Sequence, residues 1–261
     1  MSVTNFIPTM WQAELLESFK GQSIINQITY PVPTEGGKLI INKMGAVAVK
    51  EYGGTITYDD LTTDKVEIPF DQKRYFAVKI SDVDAVQVAG DLRQPAVREG
   101  AYNLAKAVDE HAVKKILASG ANATTVALDK TNVYDAIVDA NRLLDKKDIP
   151  QADRIIVCGW DVVSMLEKSS LKDSFHQDTA VNGIAYRLNG VTVLPTNRVT
   201  DGTIIVLHKS AVAYGMQLEQ MEALRLEGSF SDAIRALEVF AVEIVREEAI
   251  EIVKPAASRS K

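Results

Sequence analysis

The segment QPAVREGAYNLAKAVDEHAVKKILASG, residues 94–120, decides the fold, and its pattern predicts one long helix. Pro95 suits the first turn of a helix, and Gly120 is a good stop signal after the last. At about 1.5 Å per residue the helix is a rod of roughly 36 Å. Charged residues, Asp109 among them, are expected on its outer faces. Small and aliphatic side chains recur at three- and four-residue steps and share one face: Val97, Ala101, Leu104, Ala105, Val108, Ala112 and Ile116.

Such a helix is either an ordinary core helix or a rod that joins separate modules, and the flanking segments decide between the two. The segment before it, residues 65–80, alternates apolar and polar side chains with period two. One unbroken strand of this length would span roughly 53 Å, far more than a usual strand. With a strand at residues 38–43 it predicts a two-stranded ribbon, which cannot form a core by itself. No third strand is predicted before the helix, so we expect the ribbon to rest on another molecule.

The N-terminal segment carries large apolar side chains that need a surface to pack on. Trp11, Leu15 and Phe19 share one helical face, and residues 24–30 are predicted to be extended. Either a neighbouring subunit or the parent domain supplies the surface that covers them.

The second half of the chain alternates helices and strands, which is typical of a mixed α/β arrangement. A helix is predicted to begin after Asn132, followed by a buried strand at 154–159 and a helix near 161–168. Residues 170–190 are predicted to be a polar, irregular loop. Strands are expected at 191–194, 204–208, 212–218, 221–227, 237–245 and 249–253. The apolar face of the first helix consists of Val133, Ile137, Ala140 and Leu144.

The composition excludes several classes of protein. The net charge of −6 provides no general basic field for binding nucleic acid. No apolar run reaches the roughly 18 residues of a membrane helix, and no signal peptide is recognised. The single cysteine, Cys158, excludes an intramolecular disulfide, and its apolar neighbours predict that it is buried and inert. These features predict a soluble intracellular product.

The residues show no constellation that requires catalysis. Neither of the common phosphate-binding glycine motifs nor a serine-hydrolase motif is present. His111 is predicted to lie on a helix surface and His208 to be structural. His176 with Asp173 and Asp178 is either a site for a divalent ion or an acid–base pair, or simply solvated polar chain. We therefore predict no catalytic residue, no metal site and no cofactor.

Taken in order, these segments resemble the major capsid proteins of tailed bacteriophages, which have the Hong Kong 97-like capsid fold. The similarity spans nearly the whole chain, and it depends on the order and spacing of motifs that are individually weak. The matching segments are Phe6-Ile7-Pro8 with Trp11 (the family's N-terminal arm), Gly36-Gly37-Lys38 to Ile80 (its extended loop), Val86 to Leu117 (its spine helix with the lead-in), Leu143-Leu144-Asp145 to Val157 (the domain crossing), and Gly190 to Val193 with Phe230 to Val245 (late strands).

The resemblance implies an α+β fold and a division into modules. These are an N-terminal arm (1–33), an extended β-hairpin loop (34–80), a peripheral domain (81–148) with the spine helix at 95–119, an axial domain (149–222), and return strands of the peripheral domain with a C-terminal tail (223–261). It also implies a structural protein, not an enzyme, that self-assembles into hexamers and pentamers and forms the icosahedral head shell around viral double-stranded DNA, without sequence-specific binding.

Partners and location follow from the same resemblance. The protein is expected in the virion capsid, after assembly in the host cytoplasm and without a membrane. Because the arm begins near Met1, we expect a separate scaffolding protein, together with a portal. Some family members cross-link an extended-loop lysine to an asparagine of a neighbour; Lys43 or Lys50 stands in this loop, although no motif supports a cross-link. Subunit contacts are expected at Trp11, Leu15, Phe19, Lys43, Lys50, Tyr52, Tyr58, Val66, Ile68 and Phe70.

Three alternatives stay open at this stage. An encapsulin-type nanocompartment shares the fold but would package a cargo enzyme. A small α/β enzyme would act through the loop at 173–182. A tail or baseplate component would form rings or tubes.

Overall fold

The structure is a computed structural model that describes residues 23–32, 34–35, 37–44, 51–52, 60, 63–81, 93–119, 121–169, 175–180, 183–226 and 228–256. Within these ranges the helices are α1 (Ile25–Ile28), α2 (Arg93–Ala118), α3 (Val133–Asp145) and α4 (Trp160–Glu167). The strands are β1 (Tyr30–Pro31), β2 (Thr34–Glu35), β3 (Lys38–Met44), β4 (Thr63–Pro69), β5 (Gln72–Ser81), β6 (Asn122–Val126), β7 (Arg154–Cys158), β8 (Phe175–Ala180), β9 (Gly183–Leu188), β10 (Val191–Pro195), β11 (Ile204–His208), β12 (Val212–Arg225), β13 (Ser231–Ile244) and β14 (Ile250–Pro255).

Helix α2 confirms the prediction for the segment that decides the fold. All of the side chains predicted on its apolar face are at most 3% exposed. This face packs on a four-stranded sheet of order β1-β12-β13-β5. Gly100 allows a close approach, because a Cβ atom there would fall 2.6 Å from Cζ of Phe76. Within the described residues the helix is therefore a core helix that packs chiefly on β13 and β5.

A second sheet of seven strands has the order β6-β14-β11-β7-β10-β9-β8. Its central strands β7 and β11 are buried along their whole length, as expected for strands covered on both faces. Helix α3 covers this sheet with the predicted face, since Val133, Ile137, Ala140 and Leu144 are all buried. The mixed arrangement predicted for this half of the chain is therefore confirmed.

The third sheet, of order β2-β3-β4, contains the predicted ribbon, but the ribbon is shorter than expected. The prediction of one strand over residues 65–80 is wrong. The chain interrupts its pairing at Phe70 and Asp71, so that β4 pairs with β3 while β5 pairs with β13 in the four-stranded sheet. The alternation predicted the covered face correctly across the interruption. It contained no information on which strand lies alongside. The expectation of only two strands before the helix is also wrong, because the short β2 pairs with β3 as a third strand and β5 joins the four-stranded sheet.

Other expectations also need correction. Residues 24–30 are not extended throughout, because Ile25 and Ile28 are buried at helical spacing in α1. Residues 175–180 and 183–188 are not an irregular loop but pair as the antiparallel hairpin β8–β9. Residues 212–225 form one strand, with a shift of register between Leu218 and Gln220. The lead-in to the spine helix expected from Val86 onward lies outside the described residues up to position 92, and Ser81 ends β5.

Candidate functional site

Strands β3 and β4 form a ribbon with one charged and one apolar face. On the charged face, Nζ of Lys38 and Nζ of Lys65 lie 2.9 and 3.0 Å from the carboxylate oxygens of Glu67. These two lysines lower the pKa of Glu67 to about 2. On the opposite face Leu39 pairs with Ile68, and Ile41 pairs with Val66. The ribbon therefore has a narrow apolar face on one side and a cluster of paired charges on the other.

The ribbon is anchored at one end. Leu39 is completely buried, and it fills the space left by the missing side chain of Gly215 on β12. A Cβ atom at Gly215 would lie 2.4 Å from Cδ2 of Leu39 and 2.9 Å from Cγ2 of Thr34. Ile68, directly opposite Leu39, and Val66, one pair farther along this face, are only partly covered. The apolar face thus passes from a buried base to a section that the subunit covers incompletely.

The structure brings together some of the predicted contact residues. Val66 and Ile68 share the apolar face of the ribbon, and Phe70 lies at its base, where its N–H donates to the carbonyl of Gly37 at 3.2 Å. The backbone of Lys43 lies opposite Asp64 near the far end of β3. Tyr52 is 77% exposed. Outside the described residues lie Trp11, Leu15, Phe19, Lys50 and Tyr58.

Sequence reasoning placed Asp109 wrongly on an outer face of the long helix. It is 2% exposed, and its carboxylate accepts hydrogen bonds of 3.0–3.1 Å from Ser23 Oγ and from the N–H groups of Ile24 and Ile25. Nε of Arg198 lies 3.3 Å from Oδ2. Burial raises the pKa of Asp109, and the donors and Arg198 oppose this shift. Asp109 therefore holds the start of α1, the spine helix and the loop after β10 together.

The outer face of the four-stranded sheet is partly apolar and open. Tyr75 on β5 is 75% exposed, and Phe230, just before β13, is 83% exposed. A cavity of about 390 Å³ lies beside Tyr75 and is lined also by Ala77, Leu237 and the ion pair of Glu222 and Arg235. Exposed apolar groups of this size are typical of surfaces that other protein molecules cover.

The potentially reactive side chains mostly have structural surroundings. His111 is not simply a surface residue, because its ring contacts that of Phe240 edge-to-face at 5.6 Å and burial lowers its pKa. His208 is buried, and its Nδ1 lies 2.8 Å from Ser210 Oγ. Cys158 is fully buried, and burial raises the pKa of its thiol to about 12. The backbone of His176 and Asp178 belongs to strand β8.

Two searches of the described residues were negative. No group of three or more His, Cys, Asp and Glu side chains in these ranges is placed to hold a metal ion. None of the helices in the described part of the chain is long and apolar enough to cross a membrane.

Comparisons with known proteins agree with this architecture. A family model described as phage capsid protein matches residues 65–254, which is most of the chain. A structure from Mycobacterium phage Che8 matches with 27% identity and a TM-score of 0.71, covering 89% of this chain and 91% of the other. The capsid structure of cyanophage P-SCSP1u matches with 15% identity and a TM-score of 0.69, covering 90% of this chain and 89% of the other. No curated protein sequence matches.

An encapsulin from Synechococcus elongatus matches with 9% identity and a TM-score of 0.61, covering 89% of both chains. This likeness shows a shared fold and leaves the nanocompartment as the weaker alternative. The family model, in contrast, matches the ribbon strand β4, the spine helix and both larger sheets in sequence. The chain belongs to the phage capsid protein family, has the Hong Kong 97-like capsid fold, and is a structural protein of the virion that forms the capsid shell.

Proposed function

We propose that copies of this chain assemble into hexamers and pentamers that close an icosahedral shell around double-stranded DNA. The ribbon β3–β4 lies over a neighbouring copy, and its apolar face covers exposed apolar surface there. The observation that carries this proposal is the partial exposure of Val66 and Ile68 on a ribbon that is anchored at Leu39. The single subunit leaves this face partly exposed, and burying it against a neighbouring copy is favourable.

Sheet membership supports a division of the chain into modules. We assign the seven-stranded sheet to the axial domain and the four-stranded sheet with α2 to the peripheral domain. Because β12 pairs in the four-stranded sheet, the expected axial range of 149–222 shortens to 149–208 in this proposal. We also assign β6, α3 and β14 to the axial domain. Strands β6 and β14 pair within its sheet, and helix α3 packs on that sheet. The extended loop, in the narrow sense, is the ribbon of β3 and β4 with its connecting segment.

The acidic net charge favours enclosure of DNA over direct binding, because a shell lined with a strong basic field would slow the movement of the packaged duplex. A separate scaffolding protein and a portal complete the assembly, which takes place in the host cytoplasm. The chain has no enzymatic role in this proposal. The contact residues on the arm and the loop, including Lys43 and Lys50, act by packing and charge and not by covalent cross-linking.

A substitution on each face of the ribbon tests this proposal. Ile68→Asp places a charge on the apolar face, and Lys65→Gln changes the charged face as the matched control. Circular dichroism and thermal melting measure folding, and sedimentation measures assembly into large particles. We expect Ile68→Asp to fold and to lose most of its assembly, while Lys65→Gln assembles. Normal assembly of Ile68→Asp, or its failure to fold, would contradict the proposed packing on a neighbour.

A further inference from the structure

Glu238 on strand β13 is a carboxylic acid that the fold buries without a hydrogen-bond donor. Its side chain is 1% exposed, and neither Oε1 nor Oε2 has a hydrogen-bond partner within the described structure. Burial of an ionised carboxylate without a partner is costly, so the folded state favours the protonated form. Burial accordingly raises the pKa of Glu238 to about 7.

The carboxyl group lies beneath the spine helix. Along β13 it precedes Phe240, whose ring contacts His111 of α2. Phe76, two residues from the register partner of Glu238 on β5, lies against Gly100 of α2. The part of α2 between Gly100 and His111 therefore covers Glu238.

The elements around Glu238 bring several titratable groups toward it. Arg74 on β5 is directly opposite in register, and its side chain is exposed to solvent. Tyr214 on β12 is buried and its hydroxyl has no described partner; burial, with the nearby carboxyl groups of Glu238 and Asp109, raises its pKa. From α2, His111 and Asp109 face the same layer. Among these groups, Arg74 is always positively charged, and it lies directly opposite Glu238 on the neighbouring strand.

We propose that Glu238 is a proton-linked switch between helix α2 and strand β5: the protonated acid stays buried beneath α2, and the ionised carboxylate pairs with Arg74. Directly opposed residues of an antiparallel pair have Cβ atoms about 5 Å apart, well within the reach of an arginine. The pair would form at the flank of α2, because β5 is the edge strand of its sheet. When the ionised side chain of Glu238 moves toward Arg74, the packing of β5 against α2 changes.

The switch acts at the base of the ribbon. The chain passes from β4 through Phe70 and Asp71 directly into β5, so a shift of β5 changes the position from which the ribbon extends. This consequence for assembly rests on the proposed role of the ribbon, whereas the switch itself is a property of the single subunit. Loss of a proton between about pH 6 and 8 would then alter how the ribbon meets a neighbour.

Carbon-13 NMR of glutamate-labelled, unassembled full-length chain tests the proposal, with Glu238→Gln to assign the Glu238 carboxyl resonance. We expect its titration midpoint near 7, well above the ordinary value of 4.5. Arg74→Met should raise the midpoint further, because the ionised form then lacks its partner, while Glu243→Gln should leave it unchanged. A midpoint at the ordinary glutamate value contradicts the switch, and an unchanged midpoint in Arg74→Met contradicts the pairing.

Urea unfolding of the same chains gives an independent readout. The folded state keeps a proton that the unfolded chain has already released, so stability is greatest below pH 4.5 and falls as the pH rises through about 7. The unfolding equilibrium constant should increase on the order of 100-fold over this range through Glu238 alone. Glu238→Gln should remove this part of the pH dependence; an unchanged dependence contradicts the proposal. Neither measurement uses assembled shells, so failure here leaves the proposed function standing.

Discussion

Nε of Arg198 lies 3.3 Å from Oδ2 of Asp109, and this contact joins the spine helix to the loop that follows strand β10. The same carboxylate accepts the N–H of Ile25, 84 residues earlier in the chain. A single buried acid thus connects three distant segments: the start of α1, helix α2 and the loop after β10. Its contribution to stability is accessible to measurement.

Asp109→Asn should destabilise the subunit by about 3 kcal/mol, because an amide NH₂ would face buried N–H donors and the partner charge of Arg198 would be lost. Urea unfolding measures the change. Glu110→Gln, one residue farther along α2, is the matched control. It affects only a partly exposed pair with Lys106 at 3.9 Å and should change stability by about 0.5 kcal/mol or less. Equal effects of the two substitutions would argue against the central position of Asp109.

The base of the ribbon offers a second prediction. Gly215→Ala should displace Leu39, since the added Cβ would lie 2.4 Å from its Cδ2, and should lower assembly more than it lowers subunit stability. The double variant Gly215→Ala with Leu39→Ala removes the closer of the two clashes and leaves the 2.9 Å approach to Cγ2 of Thr34, so it should recover part of the lost assembly relative to Gly215→Ala alone. Light scattering during assembly measures both. A double variant that assembles no better than the single variant would show that the contact does not position the ribbon.

The connection at the far end of the ribbon should be dispensable for folding. Replacing residues 45–62 by a short turn keeps the pairing of Met44 with Thr63 and should leave a folded subunit that assembles poorly. Thermal melting and particle sedimentation distinguish the two effects. Loss of folding itself would show that this segment packs within its own subunit.

Cys158 provides a probe of the core of the seven-stranded sheet. With its thiol pKa raised to about 12, the thiolate fraction at pH 8 falls roughly 1,000-fold below that of an ordinary thiol, and the side chain is also inaccessible. A thiol reagent should therefore modify the native chain very slowly and the urea-unfolded chain completely. Because the chain has a single cysteine, the signal is unambiguous. Rapid labelling of the native chain would contradict the described packing of β7.

The two kinds of sequence pattern differed in what they predicted. Helical spacing in α2 and α3 identified the buried faces, because the apolar face of a helix is buried whichever strands pack against it. Alternation over 65–80 identified the covered side chains but not the change of partner at Phe70 and Asp71, since pairing with β13 depends on residues more than 150 positions away. The hairpin β8–β9 was missed because its polar strands, including His176 and Asp178, lack an apolar alternation.

The candidate site was predicted only in part for the same reason. Val66, Ile68 and Phe70 follow a local pattern, and the sequence assigned them correctly to one side of the strand. Asp109 and Glu238 look like ordinary charged residues on a helix and a strand. Only the tertiary structure shows that both are buried, one with donors from distant segments and the other without any described donor. The one available signal was the position of Glu238 between the apolar residues Leu237 and Val239 of β13.

Electron cryomicroscopy of the purified full-length chain, with and without a candidate scaffolding protein, tests the central claim most directly. We expect closed shells or rings of capsomers in which the ribbon β3–β4 of each copy lies across a neighbouring copy. A chain that stays monomeric at high concentration under both conditions, or shells in which the ribbon contacts only its own subunit, would contradict this account.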